Sequence, residues 1–392
     1  TVINNGDVIL ISDGNRCAIW EDGGTFTNNG SIQYNVAGGG FKQTGIYVYG
    51  SAPVAINNGL LKMSNTSATP GTANKVLYGY ESWGGANGRY ENNGTIDLYS
   101  NNTYYIIGMM SYDGDNISAV NSSSGIIKVV NDNPNALYVS GISGPTALTN
   151  NGKIDITSTS GEYVFGIRGD GSVINNGTID VITTSAGVTY GIYSIGTITN
   201  NGTIDVVSAS TKYTYGIYSD RATATNNANI NVTTTNITKD NVVFGMIAGI
   251  GTNSSTGVIT VNSDYGVGMA DSIEAVSNGN LHNYGLIIIN GNYGLGMLNT
   301  SNTAINEGII TLNGNNSIGL LAGQGDSTYA YNNAWSSNYA GLPNKTQQDA
   351  INSSTGIINV NGTDSYGILV NQGDTAFTGT NNGIINVNGA ST

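Results

Sequence analysis

With 392 residues, 9% of them charged, and 25 Asp and Glu against 12 Lys and Arg, the chain carries a net charge of −13. It has no basic run, which argues against nucleic acid and anionic membrane surfaces as partners. Its single cysteine, Cys17, excludes an internal disulfide framework, and no CxxC or Cys/His spacing for a metal is present.

A chain of this length would ordinarily form two or three compact domains, a prior that fails for repeat proteins, whose cores grow along one axis. No run of about 18 apolar residues marks a membrane helix. Thr1-Val2-Ile3-Asn4-Asn5-Gly6 opens inside a repeat with no signal peptide before it, and Asn381-Asn382-Gly383-Ile384-Ile385-Asn386-Val387 closes in one. A segment of a longer protein, or a subunit that stacks end to end, is expected.

In chain order the turn position of the repeat is Gly6, Gly30, Gly59, Gly94, Gly125, Gly152, Gly177, Gly202, Ala228, Gly257, Gly285, Gly308, Gly356 and Gly383. These make 14 units, mostly 23 to 31 residues apart. Two residues after the turn stand Val8, Ile32 and Leu61, then isoleucine in every unit from Ile96 to Ile385; four after it every residue is apolar, from Leu10 to Val387. Mostly polar residues lie between, so each unit begins with a strand that has one buried face.

A second strand follows, marked by an aromatic or aliphatic residue, glycine and an aliphatic. The glycines are Gly45, Gly79, Gly108, Gly166, Gly191, Gly216, Gly245, Gly266, Gly294, Gly319 and Gly367. Tyr190 with Ile192, and Tyr215 with Ile217, are expected to point inward and stack on their copies. A less regular third segment leads back to the next Asn-Asn-Gly. The most regular stretch is Ile174 to Asp220, where Asn175-Asn176-Gly177-Thr178-Ile179-Asp180-Val181 returns 25 residues later as Asn200-Asn201-Gly202-Thr203-Ile204-Asp205-Val206.

Short strands repeated at a fixed period, with no 3.6-residue periodicity, predict an all-β fold, a single-stranded parallel β-helix solenoid of about 14 rungs. It is expected to be one continuous domain over 1–392, right-handed by crossover chirality. Rungs about 4.8 Å apart would make a rod of roughly 65 Å. Two positions before the turn, 11 of 14 units have Asn and the others Ser123, Ser255 and Ser354. Asn175 and Asn200 are expected in a hydrogen-bonded side-chain ladder, with Gly177 and Gly202 supplying positive φ.

Two stretches depart from the repeat as insertions, about 66–91 with Trp83, Arg89 and Tyr90, and 323–350 with Tyr329, Tyr331, Trp335, Tyr339 and Pro343. Solenoid insertions emerge as loops and often bind, and loop aromatics would stack on sugars or anchor a protein; the bland reading is that they cover the flank of the rod. The stretch 220–243, mostly Thr and Asn, is also long.

Chemistry is sparse. The only histidine, His282, has no nucleophile motif around it and reads as structural. Asp155, Asp180 and Asp205 recur at one outward position and would lie about 5 Å apart, the separation used by retaining glycosidases. They also follow the repeat, and a solvated acidic stripe fits them better than catalysis or calcium. Arg89 reads as a surface ion pair with Glu81 or Glu91. No cofactor or metal is expected.

The repeated Asn-Asn-Gly-Thr-Ile-Asp-Val with Tyr-Gly-Ile-Tyr resembles the passenger domains of large Gram-negative autotransporter adhesins, most closely the fusobacterial type. That resemblance implies a β-helical rod outside the cell, anchored in the outer membrane through a part not in this chain. No inserted protease domain of that family can be matched here. The function expected is a non-enzymatic adhesive rod that contacts host or bacterial surface proteins or glycans. The alternatives are a self-assembling subunit of an extracellular filament or layer and, less favoured, a polysaccharide-degrading β-helix enzyme or tailspike.

Overall fold

The computed structural model describes residues 1–11, 16–37, 42–50, 52–66, 75–83, 87–112, 118–145, 147–210, 212–235, 241–271, 279–299, 303–322, 349–370 and 378–389. Every regular element among them is a β-strand. The chain divides into two compact units, Thr1–Ser194 and Ile195–Thr392.

In the first unit each turn of chain lays one strand into each of three parallel sheets, seven strands to a sheet. One such turn is Ala147–Asn150, Lys153–Ser158 and Gly161–Gly169; the next is Val173–Asn175, Thr178–Thr183 and Ala186–Ser194. The second unit repeats the plan with seven, seven and six strands. This is the parallel β-helix that the alternation predicts, with a regular first-sheet strand where the sequence shows only an irregular return.

Register follows side-chain identity. Ile154 pairs with Ile179 and Ile156 with Val181, so each apolar residue lies on its own copy. These side chains are fully buried, as are Ile167 and Ile192 of the third sheet. Burying an isoleucine or valine contributes about 1.5–3 kcal/mol, which a rung obtains only by lying between neighbours.

The corner ladder is more regular than the sequence suggests. Within the first unit each Nδ2 donates to the next Oδ1 along Asn4, Asn28, Asn57, Asn92, Asn121, Asn150 and Asn175, at 2.7–2.9 Å. In the second unit Asn200, Asn226, Asn253, Asn283, Asn306, Asn352 and Asn381 do the same at 2.8 Å. The serines expected in three units are not ladder members. Ser123, Ser255 and Ser354 are exposed in corners that are two residues longer, and Asn121, Asn253 and Asn352 take the ladder position.

The turn glycines also have a different cause from the one expected. None of Gly30, Gly59, Gly94 or Gly177 has a positive φ. A Cβ on Gly177 would instead lie 2.0 Å from the Gly152 carbonyl oxygen, and one on Gly30 1.9 Å from that of Gly6. Close approach between rungs excludes a side chain. Where Ala228 occupies the position, the amide of Asn229 reaches the Gly202 carbonyl at 3.2 Å, against 2.9 Å for Thr178 on Gly152.

In the third sheet the conserved geometry is again a close approach. A Cβ on Gly166 would lie 2.3 Å from Ile179 Cγ2, and one on Gly216 2.3 Å from Ile230 Cγ2. The register glycines of the second unit include Gly268 and Gly296, not the Gly266 and Gly294 read from sequence, since Met269 pairs with Met246 and with Met297. Tyr265 and Tyr293, before the misread glycines, have φ of 58° and 55° and stack with centroids 5.0 Å apart. The strand bends at the glycine. Ile192 and Ile217 face the core as expected, but Tyr190 and Tyr215 do not: Tyr190 shares the outer side with Tyr193 at 5.4 Å, and Tyr215 with Tyr218 at 5.2 Å.

Candidate contact face

The bend places two files of side chains on the outside of the third sheet in the first unit. Register carries one file through Tyr78, Ile107, Ser140, Phe165 and Tyr190. It carries the other through Trp20, Tyr47, Glu81, Met110, Ser143 and Arg168. A solenoid core needs nothing aromatic here, so these rings are a separate investment of sequence.

At one end of the files Glu81 is fully buried yet satisfied. Its carboxylate pairs with Lys42 and accepts hydrogen bonds from Thr44 Oγ1 at 2.8 Å and Trp83 Nε1 at 2.9 Å. The Lys42 ammonium also lies 5.5 Å from the Tyr47 ring and 6.0 Å from that of Trp83. Trp83 is 45% exposed and packs on Tyr112 at 4.8 Å, while Trp20, 67% exposed, packs on Tyr47 at 4.8 Å. Exposed indoles held by a buried carboxylate and by neighbouring rings are pre-oriented for stacking. Burial pushes the hydroxyls of Tyr47, Tyr78 and Tyr112 and the Cys17 thiol upward, and the Glu81 charge adds to each.

Further along, Tyr138, Phe165 and Tyr190 stack at 4.9 and 4.8 Å, the second pair only 4° from parallel. Tyr105 lies 6.2 Å from Tyr138 and 5.2 Å from Tyr104. Arg168 beside them pairs with Asp170 at 3.1 Å.

Of the contact residues expected from sequence, Trp83 belongs to this face. The stretch around it is not a loop throughout, since 66–91 holds the third-sheet strand Val76–Trp83 and the start of the first-sheet strand Arg89–Asn92. Arg89 is exposed on that first-sheet strand and pairs with Glu91. Tyr90 is corrected: it points into the core with 2% exposure, because its register partners are Ala55 and Ala119, whose small side chains leave room for the ring. Burial pushes its hydroxyl up to about 12. Tyr329, Tyr331, Trp335 and Tyr339 lie outside the described residues. Asn175, Gly177 and Asn200 are corner residues of the ladder, and Gly202 accepts the Asn229 amide in the same corner.

The acidic stripe is held in pairs. Lys153 Nζ lies 3.3 Å from Asp155 and 3.0 Å from Asp180, and Asn231 donates to Asp205 at 2.6 Å. His282 stacks on Tyr284 with centroids 5.7 Å apart and lies 3.8 Å from Glu307. Among the described residues no three His, Cys, Asp or Glu side chains converge as a metal site, and no helix is long and apolar enough to cross a membrane.

Sequence reading missed Trp20, Tyr47, Glu81 and Tyr112. For Tyr47 and Glu81 the available signal was the third-sheet glycine, Gly45 or Gly79, since the residues one before and two after it face outward; Trp20 follows Ala18 instead, and Tyr112 lies four residues beyond Gly108.

Residues 205–338, about a third of the chain, match the model of a family described as the BigA third pectate lyase-like domain. No curated protein and no solved structure matches the chain. The segment similar to that domain lies within the second unit and takes in the positions of Tyr329, Tyr331 and Trp335, so the aromatic face of the first unit is outside it.

Proposed function

We propose that this chain is a non-enzymatic, surface-exposed adhesive segment of a bacterial autotransporter-type protein, whose β-helical rungs hold aromatic contacts in fixed array. The observation that carries this reading is the outer face of the third sheet in the first unit, where Trp20 and Trp83 remain exposed although a core would bury them. The similarity to a BigA domain supports a β-helix of a bacterial surface protein of adhesin type. The ion pairs that tie up Asp155 and Asp180 favour a structural stripe over an acid and nucleophile pair. Partners are host or bacterial surface proteins or glycans, and display is outside the cell.

Attachment of the purified chain to intact host and bacterial cells tests this. Replacing Trp20 and Trp83 together by alanine is expected to reduce attachment about tenfold with the fold intact, as anchor aromatics do. Replacing Tyr331, Trp335 and Tyr339 by alanine tests the insertion separately. Attachment unchanged in both variants would remove aromatic contacts from the account.

A further inference from the structure

A shallow depression of about 370 Å³ opens beside the aromatic files, at the corner between the second and third sheets of the first unit. That volume is within the range of small-molecule sites, roughly 300–1,000 Å³. It exists because one corner is oversized. Six residues, 132–137, lie between Asn131 and Tyr138, where the stretches in register with them in the next two rungs, 159–162 and 184–187, have four each.

The corner is cross-linked by hydrogen bonds. Asn133 is fully buried and donates Nδ2 to the Thr103 carbonyl at 2.8 Å, and its Oδ1 accepts the Asn135 amide at 3.2 Å. The Leu137 amide bonds to the Tyr104 carbonyl at 2.9 Å and the Glu162 amide to that of Ala136 at 3.1 Å. With those amides already paired rung to rung, a peptide has no strand edge to join here.

The lining combines the Tyr104 ring and the apolar edges of Pro134 and Leu137 with the Glu162 carboxylate and the hydroxyls of Ser160 and Ser185. Ser160 Oγ donates to the Asn133 carbonyl at 2.5 Å and is left as an acceptor, so one tyrosine ring, that oxygen, the Ser185 hydroxyl and a single exposed carboxylate face the depression, which suits a ligand with one apolar face and several hydroxyls, a pyranose. The lining has no Lys or Arg, and the chain carries a net charge of −13, so acidic sugars are repelled. From the depression the rings of Tyr105, Tyr138 and Phe165 continue rung by rung. The rung spacing, about 4.8 Å, is close to the length of one sugar residue in a chain.

We propose that this corner and the rings beside it form a binding site for a neutral oligosaccharide. The proposal rests on the adhesive reading of the third-sheet face and adds to it a place and a ligand class.

The test uses the 392-residue chain on an array printed with neutral, sialylated and sulfated oligosaccharides, followed by calorimetric titration of the best-bound glycan, with cell attachment measured in parallel. Neutral glycans are expected to bind. Glu162→Gln, on an exposed side chain that should leave the melting temperature unchanged, and Ser185→Trp, which fills the depression, are each expected to weaken binding about tenfold or more. Val207→Thr, on the outer face of the second unit's second sheet, is expected to stay within about twofold. Neutral-glycan binding that survives Glu162→Gln and Ser185→Trp, or binding confined to acidic glycans, overturns the site. Cell attachment without any glycan bound overturns the site and leaves the adhesive reading standing; loss of both overturns both.

Discussion

The third sheets of the two units each keep the same pattern of register and of buried inner positions, and they differ on the outside. In the first unit the outer files hold Trp20, Tyr47, Glu81, Phe165 and Tyr190, with rings exposed or stacked on one another. In the second, the file that starts at Tyr218 turns aliphatic through Ile247, Ala270, Leu298 and Leu321, each no more than 8% exposed, while the file from Tyr215 and Phe244 runs through the buried Val267, Leu295 and Ile318 to an exposed Tyr366. Inner positions obey the repeat in both units, because each must lie on its copy. Outer positions are free of that demand, and the first unit has used the freedom for rings and for an ion pair between the buried Glu81 and the partly exposed Lys42. The segment similar to the BigA domain falls in the second unit, where scaffold features dominate.

If the two units share one scaffold, the largest effects should come from corner glycines and be alike in both. Gly177→Val and Gly308→Val, whose Cβ atoms would lie 2.0 and 2.2 Å from carbonyl oxygens, should each cost about 3 kcal/mol or more, read as loss of cooperative melting. A large effect in one unit only would break the equivalence. Next in size, Leu298→Gln should cost about 2 kcal/mol by burying an amide without partners, while Met110→Gln on the same outer file of the first unit should stay within about 1 kcal/mol. Denaturant midpoints decide whether the outer faces differ as described. Glu81→Ala should cost roughly 1–2 kcal/mol, because the Trp83 N–H and Thr44 hydroxyl lose their acceptor, with Glu81→Gln recovering part of it.

Smaller still is an alkaline effect that separates rings inside from rings outside. Tyr90 stays protonated in the fold up to about 12, whereas an unfolded tyrosine ionises near its usual value of 10.0. Between those values the folded state holds more protons, so raising the pH lowers stability. Relative to its own value at pH 9, Tyr90→Phe should therefore melt later than the parent chain as the pH passes through about 11. An identical slope in both proteins would show that Tyr90 is not buried as described. Trp20→Ala, on a ring 67% exposed, should change stability least, within about 0.5 kcal/mol.

Strand positions and the parallel β-helix were legible because the apolar alternation is fixed by burial at every rung. The ladder was legible in outline, but the corners Asn121-Ser122-Ser123-Ser124-Gly125, Asn253-Ser254-Ser255-Thr256-Gly257 and Asn352-Ser353-Ser354-Thr355-Gly356 hid three members by adding two residues before the glycine. Counting back from glycine fails there; counting forward from the preceding strand succeeds. Tyr-Gly-x-Gly at 265–268 and 293–296 offered two glycines, and only packing against Ile287 or Ile310 tells which is in register. The site was less legible. Simple alternation puts Tyr190 and Ile192 on one face, and the bend at Gly191 separates them. Tyr90 looked like a loop aromatic because Ala55 and Ala119, the neighbours that make room for it, are remote in sequence.

The asparagine corners have a polarity. In the inner row every amide donates forward, Asn4 to Asn28 and on to Asn175. One residue further along the chain an exposed second row donates backward, Asn29 to Asn5, Asn58 to Asn29, Asn93 to Asn58 and Asn176 to Asn151. Aligned amides polarise one another and sum their dipoles, as peptide units do in a helix. Two adjacent rows of opposite sense cancel most of that axial field. A corner bearing both asparagines thus offers one donor and one acceptor on its upper side and the same pair on its lower side, so such corners can stack in any number without accumulating electrostatic strain.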